Sequence, residues 1–506
     1  MHRVWEIDEI VRLIVSHLKR HKQGAVALAC CSRSLSDIVL DSLWEHLVGL
    51  SRLLKCLPRD TWTTRDFDFV RIIFSGLLAL EELKGEQVFL RCPTTEEWLR
   101  FSTYARRVHS FSAAGYAMDS VSSEAYRLLS IQAPTLGHYI LPNLRSIKWD
   151  IHPWRDVPFI HLFLNPELVD VHIVFPNPRP NIYRLAVVSS IPTKELTHLR
   201  LERMGNEDSV LVAIQSLVDK TSETLRSVAL DGDLSMALID KLLRLQDLGS
   251  LEIELPKTRI SPPDVVLPSL ERLAVRCRED VPWFHILKNI PNPALREVEA
   301  TFLDSSSIHL QNLTSALIDA NKRRNLTKLQ CSWEKLIPLT EEGLRSALPF
   351  DRLTTLNLLP RCIEGQCGVQ LEDTVICDLS TALPKLESLK LGGAPCTIPA
   401  SNVTIKSLAA LSTNCVHLDF LQLHFDVNEI ASRQSFADYQ TQTFTSRLRT
   451  LSVGTQPLPS DPEDILLVAM TILYIFPHVK LSHADGNWRK VRAAIELSQG
   501  GLSSTE

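Results

Sequence analysis

The chain has 506 residues, more than one hydrophobic core usually serves, so two or more domains or a repeat array are expected. Its 45% hydrophobic and 22% charged residues are those of an ordinary globular protein, and 54 basic against 59 acidic residues leave a net charge of -5. With no basic excess to neutralise phosphates, general nucleic-acid binding is not expected, and the longest apolar run, residues 465–476, falls short of the ~20 residues that span a bilayer.

At the amino terminus Glu6, Asp8, Glu9 and Arg12 stand where a secretory signal needs an unbroken apolar stretch, so the chain is expected to stay inside the cell, in the cytoplasm, the nucleus or both. Ile7, Ile10, Ile14 and Leu18 recur at i, i+3, i+7 and i+11, a helical stripe closed by the polar stretch KRHKQG. Ala25, Leu28 and Ala29 open a second helix, CSRSLSD follows, and residues 38–44 form a third apolar segment ending in Leu43 and Trp44. This three-helix spacing, the small residues of the middle helix and the closing tryptophan resemble an F-box over residues 7–44. With the LLKCLP segment at 53–58, the whole chain resembles fungal F-box proteins with degenerate leucine-rich repeats.

That resemblance implies the substrate-recognition subunit of an SCF-type ubiquitin ligase. Ile7, Ile10, Ile14, Leu18, Leu28, Leu43 and Trp44 would pack partly inside the module and partly against a Skp-type adaptor, which joins the chain to a cullin-RING core. The family opens with Leu-Pro where this chain has Ile7-Asp8, and Asp8 is expected to accept hydrogen bonds from the first-turn amides. Read without the resemblance, residues 4–45 are a helical cap over the apolar edge of the first repeat.

The connector at residues 59–105 reads as helical. Thr94 and Glu97 form a capping box ahead of Trp98 and Leu99, and the helix ending near YARRVHSF leads into a first strand at 108–113. From Leu144 to Leu448 the pattern L-x-x-φ-x-φ, with φ apolar, then recurs twelve times at spacings of 22 to 33 residues. All 24 φ positions are apolar, a period-2 alternation that marks short strands with one buried face. Helical stripes lie between them: Val210, Leu211, Ile214, Leu217 and Val218 form one, and Leu234, Leu238, Leu242 and Leu245 another. Asp461 and Pro462 supply an N-cap and a first-turn proline before residues 465–476.

Strand, turn and helix alternating in this way define an α/β architecture: a small all-helical module followed by an irregular leucine-rich-repeat solenoid, with parallel strands on the concave face and helices outside. The expected organisation is an F-box-like module at 1–58, the connector at 59–105, the solenoid at 106–497 and a disordered tail at 498–506. The position three beyond the last φ lacks the Asn or Cys of regular repeats, so a ladder of buried side-chain bonds is not expected.

No constellation for catalysis, cofactor or metal is legible. The Walker, G-x-G-x-x-G, G-x-S-x-G and H-E-x-x-H patterns are absent, so a non-catalytic protein is expected. His17 and His21 lack a third ligand, and Cys362, Cys367 and Cys377 lack zinc-knuckle spacing. The 11 cysteines read as reduced, mostly buried thiols.

A target protein, unidentified by sequence, is expected on the strand residues that alternate with φ. These are charged in blocks at Arg200, Glu202, Asp231, Glu252, Glu254, Arg272, Arg276, Glu297 and Glu299. Leu359, Phe420 and His424 in the later repeats are expected to add apolar and aromatic anchors. A solvated sheet face would carry the same polar pattern.

Overall fold

A computed structural model describes residues 7–18, 21–65, 86–114, 121–133, 138–150, 154–175, 181–205, 207–255, 267–277, 294–303, 310–320, 325–333, 339–360, 369, 371–392, 402–427, 444, 446–453, 458, 461–482 and 486–502. The chain divides into two compact units, Met1–Leu245 and Gln246–Glu506.

The first unit opens with α1 (Asp8–Leu18), α2 (Lys22–Ala29) and α3 (Arg33–Trp44). Val11 and Val15 of α1, Ala25 of α2, and Leu35 and Val39 of α3 form their shared core. The i, i+4 pair Val11 and Val15 is therefore the inner stripe of α1, one position on from the isoleucines. Ser32 caps α3 by accepting from the Leu35 amide, so the third helix begins inside CSRSLSD rather than after it. Asp8 opens α1 beside Glu9. Both favour the positive helix end, but among the described residues Asp8 makes no side-chain bond to the first-turn amides.

The sheet begins directly after α3. Strands β1 (His46–Val48), β4 (Ser110–Ala114), β5 (Ser146–Asp150), β6 (Asp170–Val174), β7 (His198–Glu202) and β8 (Ser227–Leu230) pair in that order, all parallel. Leu47 aligns with Phe111, and Phe111 with Ile147, the first φ of the first recognised repeat. On that register Trp44 takes the leading position of a repeat that its sequence does not announce. The connector also departs from expectation, because β2 (Trp62–Arg65) and β3 (Glu86–Phe89) form an antiparallel pair. The capping box is present: Thr94 Oγ1 accepts from the Glu97 amide at 3.4 Å, and the Thr94 amide donates to Glu97 Oε2 at 2.7 Å.

In the second unit β9 (Ser250–Glu254), β10 (Arg272–Cys277), β11 (Glu297–Phe302), β12 (Lys328–Trp333), β13 (Thr355–Leu359), β14 (Ser388–Leu391), β15 (Phe420–Gln422), β16 (Thr450–Ser452) and β17 (Lys480–Ser482) follow one another in parallel. Across the twelve copies, all 36 anchor and φ positions are buried and none is above 3% exposed. The stripe at 210–218 lies on helix Asp208–Lys220; of the stripe at 234–245, Leu238 and Leu242 lie on helix Met236–Leu243 while Leu234 and Leu245 flank it, and all of these residues are buried. Asp461 accepts from the Glu463 amide and Pro462 stands in the first turn of helix Pro462–Ile475. Each unit is thus a run of leucine-rich-repeat solenoid, its parallel strands returned by helices in most of the connections that lie among the described residues.

Buried side-chain bonds do link the repeats, at a position other than the one three beyond the last φ. Three residues before a leading leucine, Asn165 Nδ2 reaches the carbonyls of Leu141 (3.0 Å), Pro142 (3.2 Å) and Leu144 (3.1 Å), and its Oδ1 accepts from the Glu167 amide. Cys415 occupies the same place before Leu418, with Sγ 3.6 Å from the carbonyls of Ser380 and Leu383.

The carboxy-terminal segment corrects another expectation. Helix Trp488–Leu502 runs through residues 498–502, where a disordered tail was expected, and Gln499 Nε2 donates to the Pro477 and Val479 carbonyls beside β17. Those bonds tie the helix to the last strand of the sheet, covering a liability of edge strands. Among the described cysteines only Cys277, Cys331 and Cys415 are buried. Cys30, Cys31 and Cys92 are exposed and Cys56 and Cys377 half-buried, so the thiols are less sequestered than expected. Cys362 and Cys367 lie outside the described residues. Among the described residues no helix is long and apolar enough to cross a membrane.

Candidate functional site

The residues expected to meet an adaptor separate into three groups. Leu18, Leu28 and Leu43 pack against the module's own core and are partly buried there. Trp44 lies against Tyr104 with ring centroids 5.1 Å apart, so it joins the module to helix Thr95–Ala105 and is half-buried in doing so. Ile7, Ile10 and Ile14 remain: Ile7 is 44% exposed, and Ile10 and Ile14 are half-exposed. Leu13, 60% exposed, and Val26 on α2 were not singled out from sequence. The exposure of Leu13 follows from the inner stripe of α1 being Val11 and Val15, and that of Val26 from Ala25 being the buried residue of α2.

The module is clasped to the first repeat through Arg107. Its guanidinium donates to Asp37 Oδ1 at 2.8 Å and to the Asp37 carbonyl at 3.1 Å, and also bonds Asp41. Burial opposes its charge, but the two carboxylates of α3 hold its pKa above the ordinary value.

On the sheet of the first unit, strand alternation brings Arg200 and His172 to one carboxylate. Glu202 Oε1 accepts from Arg200 Nε at 2.7 Å and lies 3.0 Å from His172 Nε2. Burial works against the Glu202 charge, yet these two partners hold its carboxyl below the usual range. Burial lowers the His172 pKa. Asp231, just after β8, is half-buried and also engaged.

On the second unit's sheet, the expected charge blocks neutralise each other across strands. Arg272 lies 3.9 Å from Glu297 and 3.6 Å from Glu299, and Glu254 is in register with Arg276. Glu252, Glu254 and Arg276 are all engaged. Beyond them the face carries an amide ladder that the sequence pattern did not reveal: Gln330 Nε2 donates to Glu299 Oε1 at 3.1 Å and Asn357 Nδ2 to Gln330 Oε1 at 3.3 Å. Its only sequence signal is the shared strand register.

The later anchors differ in access. Leu359 and Phe420 are half-exposed, and Lys390 Nζ sits 4.7 Å from the Phe420 ring centroid in a cation–π contact. His424 is a correction, because it is only 2% exposed and its Nδ1 has no hydrogen-bond partner. It lies beyond Gln422, the last residue of β15, where alternation no longer sets side-chain direction. Its ring packs where Gly392 (φ +99°) has no side chain: an added Cβ would lie 3.7 Å from His424 Cε1. Burial lowers its pKa.

Among the described residues no group of three or more His, Cys, Asp or Glu is placed to hold a metal. What the arrangement offers is surface: an apolar patch on α1 and a polar sheet face with two half-exposed apolar residues.

No family model matches the sequence, and no curated protein matches it. Among solved structures the chain is similar to the Rad7–Elc1 complex in yeast, at 16% identity over 68% of this chain and 76% of that chain, with a TM-score of 0.38. It is also similar to the leucine-rich-repeat-containing protein LegL7 from Legionella pneumophila, at 9% identity over 71% and 91% of the two chains, with a TM-score of 0.24. Scores this low carry nothing about partners or activity.

Proposed function

We propose that this chain is the substrate-recognition subunit of an SCF-type cullin-RING ubiquitin ligase, acting in the cytoplasm, the nucleus or both. The amino-terminal module binds a Skp-type adaptor and the repeats hold a target protein. The observation that carries the reading is the division of apolar residues on α1: Val11 and Val15 complete the module's own core, while Ile7, Ile10, Leu13 and Ile14 are left over and partly or largely exposed. A fully buried side chain of this kind contributes ~1.5–3 kcal/mol, so a small cluster suffices to anchor a helix-in-groove interface.

In this reading the chain performs no chemistry. It holds a target close to a charged ubiquitin-conjugating enzyme, and the rate gain is one of effective concentration. The purified chain alone transfers no ubiquitin. Ile14→Asp places an unpaired carboxylate in the adaptor contact and weakens binding by ~100-fold or more. Because Ile14 lies outside the module's core, the variant's melting temperature stays near that of the wild type. A wild-type chain that captures no adaptor, under conditions where an established F-box protein does, would refute the proposal.

A second reading, a protein-binding solenoid scaffold with no ligase link, draws on the continuity of α3 with β1. Trp44 closes α3 and occupies the leading position of the first strand, as a helical cap over a solenoid edge requires. Co-purification of adaptor and cullin with the full chain separates the two.

A further inference from the structure

Between the module and the first repeat lies a cleft of about 710 Å³, within the range of ~300–1,000 Å³ usual for ligand sites. Val15 of α1 and Ile38 of α3 give it an apolar lining. Of its two carboxylates, Asp41 is paired with Arg107, and Glu45 is engaged, with His46 Nε2 3.6 Å from it. Two guanidinium groups are not. Arg12 on α1 and Arg106 at the end of helix Thr95–Ala105 line the cleft, are exposed and make no ion pair among the described residues.

The neutral lining is biased toward acceptors. Ser16 and Thr103 give their hydroxyl hydrogens to the Leu13 and Leu99 carbonyls of their own helices, leaving oxygen lone pairs free to accept. Asn143 spends an Nδ2 hydrogen on the Arg106 carbonyl at 2.7 Å and keeps its Oδ1. Arg107 also lines the cleft, and its Nε is buried without a partner. An occupant that brings anions would pair with the arginines, and N–H groups on it would find acceptors in Ser16, Thr103 and Asn143. A lone carboxylate has no donors, and either it or a phosphate would leave most of the volume to water.

We propose that this cleft binds an acidic peptide segment, whose carboxylates pair with Arg12 and Arg106 and whose backbone amides donate to Ser16, Thr103 and Asn143. The site does not rest on the ubiquitin-ligase reading. At ~100° per helical residue, Ile10 and Ile14 lie ~160–200° round α1 from Arg12, so an adaptor on their face leaves the cleft open.

The test is fluorescence anisotropy of the full chain with a fluorescein-labelled Glu-Ser-Glu-Glu-Ser-Glu peptide, and with its counterpart carrying lysine for glutamate. The acidic peptide binds saturably and the lysine peptide does not. Arg12→Glu with Arg106→Glu lowers affinity at least about tenfold, the loss of two exposed ion pairs. Thr103→Trp, which fills the cleft without changing its charge, does the same. All three positions are exposed, so the variants keep the wild-type melting temperature, and adaptor capture is unchanged in them. No saturable binding, or equal binding of the lysine peptide, would overturn the proposal. So would an effect of charge reversal that Thr103→Trp does not reproduce, which marks diffuse attraction elsewhere. Competition by equimolar inorganic phosphate would assign the site to small anions instead and equally overturn it.

Discussion

Replacing Asn165 by alanine removes the best-satisfied side chain among those that tie one repeat to the next. Asn165 is fully buried, and its two Nδ2 hydrogens serve carbonyls of the preceding turn while its Oδ1 holds the Glu167 amide at 2.9 Å. Alanine strands the Leu144 carbonyl and the Glu167 amide, whereas the Leu141 carbonyl keeps the Leu144 amide as a donor. At ~1–3 kcal/mol for each buried group left unpaired, the loss is ~2–4 kcal/mol. It is local to β5 and β6, so the measurement is hydrogen exchange of amides at residues 141–150 and 154–175, where protection should fall by ~30–10³-fold. Asn165→Asp keeps the acceptor for Glu167 but sets a carboxylate against carbonyl oxygens, and it loses at least as much. Cys415→Ala loses ~1 kcal/mol or less, because a thiol is a weak donor and its contacts are 3.6 Å long. A cost below ~1 kcal/mol for Asn165→Ala, or one equal to that of Cys415→Ala, would show that the repeats are held by apolar packing alone.

Leu359→Ala with Phe420→Ala should release a captured target by removing apolar contact area. Glu252→Lys with Glu254→Lys should weaken the same capture in a salt-dependent way, and retention of every partner by both folded variants would remove the sheet face from consideration. Acidification should destabilise the chain. His172 and His424 have folded pKa values below the ordinary 6.5, so the unfolded state takes up protons first and stability is lost as pH falls below ~6.5 toward the folded values. Glu202, held below its ordinary 4.5, contributes stability that is present above that pH and lost as pH falls through its folded value. His424→Leu should flatten the urea midpoint against pH below 6.5, and an unchanged slope would show that His424 is not buried as a neutral ring.

Periodicity by itself determined the strands. Each L-x-x-φ-x-φ copy places its apolar residues on one face, and burying that face is possible only against neighbouring copies, so all twelve strands and the helices with apolar stripes were legible from local pattern. The capping box at Thr94 and the Asp461 cap were legible for the same reason, since their bonds close within a few residues.

Tertiary structure decided whatever depends on a partner distant in sequence. The α1 stripe could have turned inward on its isoleucines or on Val11 and Val15, and packing against Ala25, Leu35 and Val39 chose the valines, leaving the isoleucines outside. Trp44 became a repeat position only through the register of Leu47 with Phe111, 64 residues on. The charge blocks looked free along the chain because their counter-ions, such as Glu299 for Arg272, stand on the next strand. His424 turned inward because its strand ends two residues earlier, and alternation fixes direction only while the ladder of backbone bonds holds the chain extended.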